Sequence, residues 1–255
     1  MITKLKKIVQ KTAGKMGYRI VKGKSTEFPK DMDKYFKEIY EECKPYTMTS
    51  IERMYALYKG VEYVVNSKIP GDFVECGVWR GGSSMIIAKT LLKMKETNRK
   101  IYLYDTYEGM SKPTKKDKET STSLSALGEW EKSQKENYND WCYSPLKEVE
   151  NNMNLTKYPL KNIIFVKGMV EETIPKNIPT KIALLRLDTD WYESTYHELV
   201  HLYPILINKG VLIIDDYGCW AGAKEAVDEY IQENNTTILL NRVDGTGRVG
   251  VKLAK

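Results

Sequence analysis

From residue 72 onward the chain alternates short apolar runs with longer segments whose apolar residues recur at helical spacing, and this alternation most restricts its fold. The runs at residues 72–76, 101–105, 163–166, 182–187 and 211–215 are four to six residues long and rich in Ile, Leu, Val, Phe and Tyr. Helical patterns lie at residues 83–95, 193–207 and 221–233. Strands separated by helices form a parallel sheet covered on both faces. Two last runs, near residues 236–240 and 248–253, are joined only by a turn containing Gly245 and Gly247, which predicts an antiparallel pair at one edge. Upstream, Ile51, Met54, Tyr55, Leu57, Tyr58, Val61 and Val65 predict a helix over residues 49–66, capped by Thr49 or Ser50.

The 255 residues suit one large α/β domain, residues 46–255, preceded by an extension, residues 1–45. Residues 1–24 carry eight basic side chains and no acid, more than the net charge of +6, so the rest of the chain is slightly acidic. Ile2, Leu5, Ile8, Val9, Ala13 and Met16 fall on one side of a helix there. Such a basic amphipathic helix has two readings: peripheral contact with an anionic membrane, or packing on its own domain or on a partner subunit of a homo-oligomer. A basic stripe alone is a weak footprint for nucleic acid, which is not expected as a partner. No apolar run reaches the roughly 18 residues of a membrane span, and lysines interrupt the first apolar residues, unlike a secretory signal. Cys43, Cys76, Cys142 and Cys219 are scattered, which argues against a disulfide framework or a thiolate zinc site and for a reducing cytoplasm. Residues 111–150 break the alternation and read as a lid, with Trp130, Trp141 and Tyr143 either stacking on an acceptor or anchoring the insertion.

Two constellations carry chemistry. The first strand runs into Glu75-Cys76-Gly77-Val78-Trp79-Arg80-Gly81-Gly82-Ser83, a glycine-rich turn where α/β sheets bind nucleotide-like ligands. Its spacing is neither G-x-G-x-x-G nor a P-loop, which disfavours a dinucleotide oxidoreductase and an NTPase. Asp105, at the end of the second strand, is placed to accept ribose hydroxyls. Asp188, Asp190, Asp215 and Asp216 follow two later consecutive strands. Carboxylates converging there would repel one another, and an all-oxygen set favours magnesium or calcium. Helix capping explains only some of these aspartates.

His197-Glu198-Leu199-Val200-His201 is a literal H-E-x-x-H, the pattern of zinc metalloproteases, with Glu225 or Glu229 as a third ligand. Its helix lies between two parallel strands and must pack one face on the sheet, which argues against that role.

The segments Gly71-Asp72-Phe73-Val74-Glu75-Cys76-Gly77-Val78-Trp79-Arg80-Gly81-Gly82, Leu187-Asp188-Thr189-Asp190-Trp191-Tyr192-Glu193-Ser194-Thr195 and Ile213-Ile214-Asp215-Asp216-Tyr217-Gly218 resemble the macrocin O-methyltransferase family. Tyr46-Thr47-Met48-Thr49-Ser50 and Asp244-Gly245-Thr246-Gly247-Arg248 fit the same pattern, so the resemblance spans residues 46–252. It implies the class I methyltransferase fold, a Rossmann-like, mostly parallel seven-stranded sheet with an antiparallel last strand. It also implies methyl transfer from S-adenosylmethionine to a hydroxyl of a sugar or glycan, with magnesium. By likeness, the turn with Glu75, Cys76, Gly77, Arg80, Gly81 and Ser83 holds the methionine end, and Ser84, Thr106, Met48, Thr49 and Asp188 also bind the cofactor. Asp105 takes the ribose, Gly168, Met169 and Val170 wall the adenine, and Asp188, Asp215 and Asp216 hold magnesium. The turn is also similar to that of magnesium-dependent catechol methyltransferases, which leaves a catechol-like small molecule as the other acceptor class. Those enzymes carry a lysine base just after the first metal aspartate; Trp191 stands three residues after Asp188 here, so the base falls to Asp188 or to water on the metal. A non-catalytic nucleotide-binding module would keep the fold without needing the acidic cluster.

Overall fold

The computed structural model describes residues 28–121 and 125–253. The basic helix expected in residues 1–24 lies outside them. The described residues 28–37 fall in a separate unit from the rest, with the boundary inside the first helix. In that unit Asp33 Oδ1 accepts the Phe36 amide at 2.8 Å, capping α1 (Lys34–Cys43), and Phe28 packs on Phe36 at 5.8 Å.

The second unit is built on a seven-stranded sheet. Its elements in chain order are α2 (Ile51–Asn66), β1 (Asp72–Cys76), α3 (Gly82–Lys93), β2 (Ile101–Asp105), α4 (Ala126–Ser133), α5 (Leu146–Asn154), β3 (Ile163–Lys167), α6 (Val170–Thr173), β4 (Ile182–Leu187), α7 (Tyr192–Leu202), β5 (Leu206–Ile214), α8 (Ala221–Glu233), β6 (Asn241–Arg242) and β7 (Arg248–Val251). The strand order is β3-β2-β1-β4-β5-β7-β6; β3 to β5 are mutually parallel and β7 runs antiparallel to both neighbours. This is the class I methyltransferase topology expected from the sequence.

Burial on both faces explains why these strands read as continuous apolar runs. Every residue of β4 is buried. On one face Leu185, Leu187, Leu212 and Ile214 meet Leu199, Leu202, Val227 and Tyr230 of α7 and α8. On the other, α2 lies so close that a Cβ on Gly60 would stand 3.2 Å from Leu184 and 3.5 Å from Val211. Each fully buried Leu, Ile or Val stabilises by roughly 1.5–3 kcal/mol, so the sheet centre dominates stability.

Boundaries differ from expectation where proline or the edge intervenes. The helix expected over residues 193–207 ends at Leu202, and β5 begins at Leu206. Pro204 lacks the amide that would continue the helical hydrogen bonds beyond Tyr203, and Leu206 then pairs with Ile182. The penultimate strand, expected near residues 236–240, is only Asn241–Arg242, a short edge. Among the described residues, no helix is long and apolar enough to cross a membrane.

The insertion at residues 111–150 contains α4, capped by Ser125 Oγ on the Gly128 amide at 3.2 Å, and the start of α5. Its aromatic residues pack on the protein. Trp141 stands edge-on to Trp191 at 5.7 Å and Trp220 at 6.1 Å, Trp130 Nε1 donates to the Met110 carbonyl at 2.9 Å, and Tyr138 stacks on Tyr143 at 4.2 Å.

Candidate active site

The C-terminal ends of β1, β2, β4 and β5 open into one cleft, whose main part has a volume of about 240 Å³. An adjoining recess of about 70 Å³ shares Gly77, Asp105, Gly109, Met110, Asp188 and Asp190 with it. Strand C-termini point their last side chains and following loops into such a crevice.

The glycine turn forms its floor. Gly77 has φ of 81°, and a Cβ there would lie 1.9 Å from the Asp188 carbonyl, so only glycine lets β1 and β4 end side by side. Gly81, with φ of 89°, caps α3 in the left-handed conformation. A Cβ on Gly82 would stand 2.6 Å from the Tyr46 carbonyl, so residues 46–49 cross directly over the turn.

The expected cofactor residues divide into three groups. Met48, Thr49, Glu75, Gly77, Ser83, Asp105 and Asp188 line the main cleft. Thr106, Gly168, Met169 and Val170 line the recess. Cys76, Arg80, Gly81 and Ser84 line neither. The Cys76 side chain is fully buried among Leu187, Leu199 and other core residues, leaving only its backbone near the cleft. Arg80 pairs outside with Glu148 at 2.6 Å and donates to the Pro45 carbonyl at 3.1 Å. Ser84 Oγ donates to Glu75 Oε2 beneath the floor. Asp105 is bound to the glycine turn as well as to its own: Oδ2 accepts the Val78 and Trp79 amides at 2.7 and 3.0 Å, and Oδ1 accepts that of Tyr107 at 2.7 Å. Burial raises its pKa against the pull of these amides.

The acidic cluster closes the cleft. Asp188, Asp215 and Asp216 each present an oxygen within 4.8 Å of the others. Sequence reasoning missed what holds them. Arg186 interrupts the apolar run of β4, beside Glu75 of β1 in the sheet register, and is 2% exposed. Its guanidinium pairs with Glu75 Oε1, Asp188 Oδ2 and Asp215 Oδ1, each at 2.7 Å, and donates to Thr49 Oγ1 at 3.2 Å. Arg53 of α2 pairs with Asp215 Oδ2 and, at 3.0 Å, with Asp244. The available signal was a charged residue inside an otherwise apolar strand, since a buried cation needs buried partners.

Two guanidinium groups do not balance this cluster. Glu75, Asp188, Asp190, Asp215 and Asp216 are five carboxyl groups facing Arg53 and Arg186. Burial, with the carboxylates' mutual repulsion, holds Asp188 and Asp216 far above the usual range, although Arg186 lowers both. Burial and the charge of Asp188 push Asp190 up to about 8. Asp190 sits at a left-handed turn, φ 68°, and its amide donates to Asp216 Oδ2 at 3.2 Å. Clustered hard oxygens carrying excess negative charge fit a divalent cation such as magnesium.

The family description Macrocin-O-methyltransferase (TylF) matches residues 25–249. The chain belongs to this family. As a macrocin-type enzyme it is an S-adenosylmethionine-dependent O-methyltransferase. It is 33% identical over 79% of its length, and 74% of the relative's, to the 8-demethyl-8-(2,3-dimethoxy-alpha-L-rhamnosyl)-tetracenomycin-C 4'-O-methyltransferase of Streptomyces olivaceus. It is 30% identical over 79% of its length, and 76% of the relative's, to the mycinamicin III 3''-O-methyltransferase of Micromonospora griseorubida. The solved O-methyltransferase NovP superposes with a TM-score of 0.71 at 28% identity, covering 82% of this chain and 83% of that one.

In this macrocin-type fold the H-E-x-x-H pattern has other work. Both histidines lie on α7, but His197 Nε2 is 3.0 Å from the Ile174 carbonyl. Glu198 is fully buried, with Oε1 accepting the Thr189 hydroxyl at 3.1 Å. Glu229 accepts the Tyr192 hydroxyl at 2.7 Å, and Glu225 pairs with Lys116 at 2.9 Å. Among the described residues, the aspartate triad is the group whose oxygens stand close enough together to share a metal ion.

Proposed function

We propose that this macrocin-type enzyme methylates a hydroxyl of a sugar borne by a small molecule or glycan, with magnesium held by Asp188, Asp215 and Asp216. The observation that carries the reading is the meeting of those carboxylates, within 4.8 Å of one another, in the same cleft as the glycine turn. The sugar rests on the relatives, whose names specify methylation on rhamnosyl tetracenomycin and on mycinamicin III.

The sulfonium of the cofactor is already strongly electrophilic, so the protein's task is alignment and proton removal. Attack by the acceptor oxygen forms the O–CH₃ bond as the S–CH₃ bond breaks, and the acceptor proton passes to a carboxylate. Bound magnesium supplies Lewis acidity, lowering the pKa of a hydroxyl it touches. Holding reactants in near-attack geometry contributes up to about 7–11 kcal/mol in model reactions. The sequence pointed to Asp188 or to water on the metal as base, but Arg186 pins Asp188 within the triad. Asp190 lies in the same cleft but outside the triad, which leaves a carboxyl beside the proposed metal site to take the acceptor proton. We therefore assign the base to Asp190. The residues of the recess, Thr106, Gly168, Met169 and Val170, take the adenosine end, and those of the turn take the methionine end.

The test is methyl transfer from labelled S-adenosylmethionine to a panel of neutral glycosides, with and without chelator. Transfer to a sugar hydroxyl that stops in chelator is expected. Full activity in excess chelator refutes the metal role, and labelling of catechols but of no glycoside refutes the sugar.

A further inference from the structure

Residues 114–121 of the insertion lie across the loops that follow β4 and β5. The Thr120 amide donates to the Cys219 carbonyl at 2.9 Å, its hydroxyl to the Gly218 carbonyl at 2.7 Å, and the Ala221 amide to the Lys118 carbonyl at 2.8 Å. Glu119 and Trp220 pair as an antiparallel bridge. This strap is fastened by a buried acid. Asp117 is 2% exposed; its Oδ2 accepts the amide and hydroxyl of Thr114 at 2.6 and 2.8 Å, and its Oδ1 accepts the Tyr192 amide at 2.8 Å.

Tyr192 is the first residue of α7, and neither α7 nor α8 has a side-chain cap of its own. Asp117 supplies one to α7 from about 75 residues away in sequence, placing negative charge where the helix dipole favours it. The same oxygen lies against the start of α8: a Cβ on Gly222 would stand 2.1 Å from Asp117 Oδ1. Lys116 adds a second tie, pairing with Glu225 of α8 at 2.9 Å over the Tyr192 ring of α7. The loops entering these two helices carry Asp188 and Asp190 on one side and Asp215 and Asp216 on the other.

We propose that Asp117 is a positioning residue, wedging the strap between the first turns of α7 and α8 so that Asp188 is held at metal-sharing distance from Asp215 and Asp216. The proposal rests on the reading that this triad holds a divalent cation. Residues that orient metal ligands from behind typically control about 10–100-fold of metal affinity.

Two substitutions disturb the wedge from opposite sides. Asp117→Asn puts an amide donor against the Thr114 amide or the Tyr192 amide. Gly222→Ala introduces a methyl that displaces Asp117, at a helical position where alanine is intrinsically the better residue. Manganese affinity is read by electron paramagnetic resonance on the full chain, beside S-adenosylhomocysteine affinity by calorimetry. Both variants are expected to lose about tenfold or more in manganese affinity while S-adenosylhomocysteine binding is kept. Unchanged manganese affinity in either folded variant overturns the positioning role. If Asp117→Asn does not fold, Gly222→Ala alone decides. Absence of manganese binding by the unaltered chain overturns the metal reading itself, and this inference with it.

Discussion

Arg186 shows how a single residue couples the two halves of the site. It stands in a strand whose other residues are all apolar, and it is tolerated because the register delivers Glu75 from one neighbour and Asp215 from the other. Removing one partner of a buried ion network leaves the remaining charges uncompensated, at a cost of about 3–5 kcal/mol. Arg186→Met is expected to lose that much in urea unfolding, and Arg186→Lys to recover only part of it, because an ammonium cannot fork between carboxylates. Asp190, proposed above as the base, is the residue whose loss tests chemistry. Asp190→Asn should lower kcat by roughly 10²–10⁴-fold, with cofactor affinity little changed; single-turnover kinetics beside calorimetry would separate the two. Unaltered kcat would return the base to Asp188.

At the scale of elements, the first turn of α2 is tied to the turn preceding β7. Ser50 caps α2 on the Arg53 amide at 3.2 Å and donates through the same hydroxyl to Asp244 Oδ2 at 2.6 Å; Arg53 also pairs with Asp244. The Gly247 and Thr246 amides donate to Asp244 Oδ1 at 2.7 and 2.9 Å. Burial raises the Asp244 pKa, but these hydrogen bonds and Arg53 outweigh it and bring the carboxyl down to about 2. A depressed carboxylate stabilises fully above its unfolded pKa, near 4, and that contribution is lost as pH falls through the folded value. Acid unfolding of the unaltered enzyme should therefore include a component between about pH 4 and 2 that Asp244→Asn removes, seen as a smaller loss of thermal midpoint over that range. The insertion was legible as a departure from βα rhythm, yet its attachment was not. Trp141, Trp191 and Trp220 are far apart in sequence and become a cluster only when the sheet places β4 and β5 side by side.

For the whole molecule, the cleft collects turns from four strand ends, so ligand binding should stabilise the entire fold. Saturating S-adenosylhomocysteine at 100 times its Kd is expected to add about 2.7 kcal/mol, seen as a raised thermal midpoint. That shift should persist in chelator while turnover stops; loss of both together would mean that the metal also builds the cofactor site. The sequence by itself determined the parallel sheet, its antiparallel edge, the glycine turn and the gathering of aspartates at two neighbouring strand ends. Each of these is written locally, in the period of apolar residues or in a motif at a strand end. Only the tertiary structure decided what surrounds them: Arg186 and Arg53 on the aspartates, Asp105 bound to the amides of the glycine turn, Glu198 buried under Thr189, and Asp117 wedged against two helices. Those partners come from distant segments, and the pairing of a buried charge depends on which strands become neighbours and in what register, which no local pattern encodes.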